Sequence, residues 1–83
     1  MTETFELFHQ VADVSSARVR RYIVERELEP HIRFRNIAYE EVRADLKARG
    51  ATEVPALWNG SVFVTGADAI IARLQAFSDV GRE

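Results

Sequence analysis

Two short runs of alternating character, separated by one helical stretch, constrain this chain more than any other feature. Thr4 to Phe8 alternates and is rich in Phe and Leu, while His31 to Ile37 sets Ile32, Phe34 and Asn36 opposite Arg33, Arg35 and Ile37. Period two is the signature of a strand whose two faces meet different surroundings. Between the runs, Asp13-Val14-Ser15-Ser16 offers capping side chains and Val14, Ala17, Val19, Ile23, Val24 and Leu28 supply an apolar helix face. Pro30 is expected to stop that helix, because it has no N–H to continue the ladder. Strand, helix and strand within about 30 residues make a βαβ unit, so the two strands are expected to be parallel with a right-handed crossover.

The second half adds a different grammar. Tyr39, Val42 and Leu46 form one stripe of a second helix, with Gly50 in position for its C-terminal cap. Pro55 to Trp58 and Ser61 to Val64 flank Asn59-Gly60, a pair suited to positive φ at both central positions of a two-residue hairpin. Thr65 and Asp68 are spaced like a capping box, and Ile70, Ile71, Leu74 and Phe77 then share one face of a closing helix. The expected order is β-α-β-α-β-β-α: an α/β fold with a four-stranded mixed sheet and helices on both faces. Eighty-three residues allow a single domain over 1–83, with Asp79 to Glu83 expected as a frayed tail.

Composition narrows the chemistry. The chain has no cysteine, which removes disulfides, thiolate metal sites and thiol redox chemistry. A net charge of −2 argues against nucleic acid as a partner. Ten of the eleven cations are Arg, and Arg18, Arg20, Arg21, Arg26, Arg33 and Arg35 cluster within a short stretch, interleaved with Glu25, Glu27 and Glu29. Ion pairs on a solvated helix face, such as Arg21 with Glu25, are the expected use of these charges. No segment approaches the ~20 apolar residues of a membrane span. The start, Met-Thr-Glu-Thr-Phe-Glu, lacks the basic and apolar regions of a signal peptide, so a cytoplasmic location is expected. His9 and His31 have no ligand-like spacing and predict no metal site, and no phosphate loop or nucleophile elbow is present. Trp58 and Phe63 are expected to pack at the hairpin; on an open face they would mark a partner surface.

Phe5 to Phe8, Ser16-Ala17-Arg18-Val19-Arg20, Glu53-Val54-Pro55-Ala56-Leu57, Gly66-Ala67-Asp68 and Ala69-Ile70-Ile71 together resemble glutaredoxins and the N-terminal domain of glutathione transferases, within the thioredoxin fold. The resemblance spans Phe5 to Phe77. It implies a cis Val54–Pro55 bond, with the Val54 backbone pairing the cysteinyl part of glutathione. It further implies that Gly66, Ala67 and Asp68 hold the γ-glutamyl end, carboxylate on backbone N–H groups and amino group on Asp68. Free N–H groups and the helix dipole suit an anion there.

The departure lies at the start of the first helix. Where the family places its cysteines, this chain has Asp13, Val14, Ser15 and Ser16, with Asp13 at the nucleophilic position and Ser16 at the resolving one. Thiol–disulfide exchange needs a thiolate, and an ionised carboxylate accepts hydrogen bonds without donating one to a glutathione thiolate. The cation that glutaredoxins often carry just before this site is replaced by His9 and Gln10. Helix capping is the structural use of Asp13, Ser15 and Ser16. The resemblance therefore implies a redox-inactive binding module for glutathione, an extended peptide or a protein partner. An alternative is a transferase-like enzyme in which Ser15 or Ser16 orients the glutathione thiol. A third is a homodimer through the Tyr39–Leu46 helix or the hairpin without a small ligand, so the chain is expected to be a monomer or a weak homodimer.

Overall fold

In the computed structural model, which describes residues 4–80, β1 (Phe5–His9) is followed by α1 (Val14–Glu25), a 3₁₀ turn (Glu29–His31), β2 (Ile32–Asn36), α2 (Glu40–Ala48), β3 (Ala56–Trp58), β4 (Phe63–Thr65) and α3 (Ala67–Val80). The four strands form one mixed sheet in the order β2-β1-β3-β4. β1 runs parallel to β2, with Leu7 opposite Phe34, and antiparallel to β3, with Leu7 opposite Leu57. β3 and β4 are antiparallel, with Trp58 opposite Phe63.

Alternation along β1 divides the interior into two cores. Phe5 and Leu7 point into the larger one with Val19 and Ile23 of α1, Leu57 of β3, and Ile70 and Leu74 of α3. Phe8 points the other way, against Val42 and Leu46 of α2 and Ala56, with Trp58 and Phe63 packed at its margin. A one-residue slip of β1 would exchange these faces, so burial on both sides pins its register. Trp58 and Phe63 meet in a tilted contact, 4.8 Å between ring centroids, and belong to this second core rather than to an open platform.

A layer of charge lies over the second core. Glu6 receives hydrogen bonds from Arg35 and Arg49, and Asp45 receives two from Arg49 while Arg35 Nη2 lies 3.1 Å from it. The guanidinium of Arg35 lies 5.1 Å from the Phe8 ring centre, and that of Arg49 lies 5.2 Å from Trp58. Burial raises the carboxyl pKa of Glu6 and of Asp45. The Arg49 and Arg35 hydrogen bonds and charges outweigh it, leaving both carboxyls below their ordinary values.

Several expectations are corrected by local geometry. Only Val19, Ile23 and Leu28 of the expected α1 face are buried; Val14, Ala17 and Val24 face solvent. Helix α1 ends before Pro30, at Glu25, where Glu27 takes φ 56° and the Leu28 N–H reaches back to the Ile23 carbonyl. That is a Schellman ending with Glu where Gly is usual. Among the described residues no ion pair joins Arg21 to Glu25; Arg35 instead serves the buried layer. Tyr39 is the exposed N-cap of α2 rather than part of its buried stripe.

The hairpin loop holds four residues, not two. The Asn59 side-chain oxygen accepts from the Ser61 and Val62 N–H groups, and of the Asn59-Gly60 pair only Gly60, at φ 103°, has positive φ. Asn is thus used for its side-chain acceptor, an Asx turn, and not for a left-handed backbone. Thr65 remains in β4, and Gly66 at φ 89° makes the turn into α3, its carbonyl accepting the Ile70 N–H. A Thr cap one residue earlier is therefore displaced by a glycine that can adopt this backbone without Cβ strain. Helix α3 runs to Val80, and of the expected 79–83 tail residues 81–83 lie outside the described residues.

Candidate functional site

The carboxyl end of β1 is the centre of the candidate site. Asp13 caps α1: its Oδ2 accepts the Ser16 N–H at 2.7 Å. Ser16 is fully buried, and its Oγ accepts the Gln10 N–H at 3.2 Å. Ser15 is half-buried, one residue closer to the helix start. Arg20 reaches back from α1 and donates to the carbonyls of Gln10 and Val11, both at 3.1 Å. Its Nη1 also lies 3.2 Å from His9 Nδ1. Burial, with the Arg20 charge added, lowers the His9 pKa and favours the neutral ring. The β1–α1 loop is therefore held by a cap, a buried hydroxyl and a guanidinium.

This grip orients the loop's remaining polar groups. In a trans peptide the C=O and the following N–H point in opposite directions. With the carbonyls of Gln10 and Val11 turned to Arg20, the N–H groups of Val11 and Ala12 turn away from it. Neither has a hydrogen-bond acceptor among the described residues. Beside them lies an open groove of about 440 Å³, walled by Gln10 to Ala12, by Asn36 to Ala38 of the β2–α2 loop, and by Arg43 of α2. Arg43 is anchored to the Ile37 carbonyl at 3.2 Å and has no carboxylate partner among the described residues. An unpaired guanidinium and two free N–H groups at one mouth suit an anion.

The other sequence-predicted residues lie on the β3 side of β1. The Val54–Pro55 peptide is cis. Pro55 is fully buried, and its carbonyl accepts the Gly66 N–H at 3.2 Å, which ties this segment to the start of α3. The backbone N–H and C=O of Val54 have no partner among the described residues. Ala67 is buried in the larger core, whereas Asp68 is 90 % exposed and pairs with Arg18 of α1 at 2.8 Å. The pairing of Phe8 with Ala56 brings the end of β1 alongside Pro55.

The expected residues thus gather along one edge, but they do not wall the groove. The sheet order puts Val54 and Gly66-Ala67-Asp68 on one side of β1 and the groove on the other. Arg43 and the free Val11 and Ala12 N–H groups were not legible as site residues. A lone Arg on a charged helix carries no signal of its own, and an N–H orientation depends on the distant Arg20. No group of three or more metal-ligand side chains gathers among the described residues, and none of their helices is long and apolar enough to cross a membrane. No protein-family model matches the chain, and no curated protein matches its sequence.

Proposed function

We propose that this chain is a redox-inactive, glutaredoxin-like domain of thioredoxin fold that binds an extended, thiol-peptide-sized ligand such as glutathione across the end of β1. The observation that carries the reading is the row of unpartnered main-chain groups along that edge. Val54 offers an N–H and a C=O on one side of β1, and Val11 and Ala12 offer N–H groups on the other.

In this reading the middle of the ligand pairs with the free N–H and C=O of Val54 through main-chain hydrogen bonds. One end meets the Gly66-Ala67-Asp68 turn, where the ligand's ammonium competes with Arg18 for Asp68. That exchange is cheap, because an ion pair this exposed contributes at most about 1 kcal/mol. The far carboxylate meets Arg43, which supplies from α2 the cation missing before Asp13. Asp13 is committed to its cap and brings no proton donor to a thiolate, so the ligand is held without thiol chemistry. The transferase alternative rests on Ser15, since the Ser16 hydroxyl is buried and engaged with Gln10.

Calorimetric titration with glutathione of the wild type and of Arg43→Gln tests the reading. Binding that weakens about tenfold in the variant is expected for loss of one charge-assisted contact; unchanged affinity would remove Arg43 from the site. A conjugation assay with an aromatic electrophile is expected to give only background turnover. Activity that Ser15→Ala abolishes would favour the enzyme instead.

A further inference from the structure

Three apolar side chains that helical periodicity assigns to the interior, Val14, Ala17 and Val24, stand on the solvent face of α1. Val14 is 76 % exposed and Val24 55 %. With Arg21 between them they fall at i, i+3, i+7 and i+10, a single stripe along a helix. Isolated apolar residues on a surface are ordinary, but a row along one helix face is the pattern by which a partner helix is met. The core has no use for the row, because Val19 and Ile23 already fill the buried side of α1.

Charge marks the same stripe. Arg21, at its centre, is exposed and has no ionic partner among the described residues. Arg18 beside it is paired with Asp68 yet remains 54 % exposed. We propose that the solvent face of α1 is a docking surface for an acidic amphipathic helix of another protein. The partner's apolar ridge packs on Val14, Ala17 and Val24 while its carboxylates reach Arg21 and Arg18.

The charges select this occupant over a second copy of the chain. An antiparallel pairing of two α1 helices centred on the stripe sets Val14 against Val24 and Arg21 against Ala17 of the second copy, covering a guanidinium with no carboxylate to meet it, and a parallel pairing sets each Arg against itself. An uncompensated charge disfavours the first arrangement and opposed like charges the second. Glu25 closes the stripe at its C-terminal end, so the partner's acidic residues belong near its middle. The surface shares no residue with the groove; a ligand that takes Asp68 would free Arg18 for the partner, and Arg21 serves the proposal whether or not one binds.

Two synthetic helical peptides of the length of α1, with one apolar ridge in common and flanks of either Glu or Lys, provide the test. Amide shifts of the isotope-labelled full chain are followed as each is added. The Glu peptide is expected to move Val14, Ala17, Arg21 and Val24, to weaken as salt is raised, and to bind about tenfold or more tighter than the Lys peptide. Arg21→Gln is expected to weaken the preference, and Arg21→Glu, which leaves only Arg18 to offset the new carboxylate, to abolish it. Thermal unfolding of both variants checks that the fold is intact, as expected for an exposed position. Equal response to the two peptides, response to neither, or shifts located elsewhere would overturn the proposal. So would self-association of the protein alone that Arg21→Glu leaves intact and Val14→Lys removes.

Discussion

A carboxylate at position 13 closes one chemistry and secures one structure. Asp13 gives α1 a side-chain acceptor for the Ser16 N–H, a use that the residue type itself announces. Asp13→Ala is expected to destabilise the domain by about 1 kcal/mol in denaturant unfolding, with Asp13→Ser restoring most of the loss. Glu27 illustrates the opposite case. Its φ of 56° closes the Schellman ending of α1, and nothing in a Glu surrounded by charged neighbours signals a left-handed backbone. Glu27→Gly is expected to raise stability by ~0.5–1 kcal/mol in the same measurement, since glycine reaches this conformation without Cβ strain. A loss of stability would mean that the Glu27 side chain contributes more than its backbone strain costs.

At the scale of elements, the alternation of β1 and the apolar spacing of α3 were readable because each element meets its core directly, whereas Phe34 of the expected β2 face is exposed. The errors fall where a neighbour decides. α1 exposes half of its apolar positions because the sheet and α3 cover only its Val19–Ile23 side, and Asn59 turns the hairpin through its side chain. The Glu6–Arg35–Asp45–Arg49 layer was likewise hidden, since it joins three elements distant in sequence. It sets an acid limit on stability. Both carboxyls lie below their ordinary values of 4.5 and 3.8 in the folded chain. Their contribution is therefore complete above those unfolded-state values and is lost as the pH falls through the lower folded ones. Glu6→Gln is expected to cost about 1–3 kcal/mol at neutral pH, leaving Arg35 and Arg49 short of an acceptor. It should also flatten the decline of stability below about pH 4.5; a variant whose acid profile matches the wild type would place the acid sensitivity elsewhere.

Across the whole molecule, the sheet brings Val54, the β1–α1 loop and the Gly66-Ala67-Asp68 turn to one edge, and α2 adds Arg43 from the far side of β1. The first three were nameable from short motifs, because a strand-initiating proline and a glycine before a helix carry their own backbone logic. The groove was not, because it exists only where two loops from different strands converge. The proposed retention of a glutaredoxin-like ligand frame without a thiol catalyst is tested by an amide-resolved titration of the full chain with glutathione. Saturable shifts at Val54, Ala67 and Asp68 and at Val11 and Ala12, on both sides of β1, are the predicted result. Amides at all five positions that stay still at millimolar glutathione would contradict it.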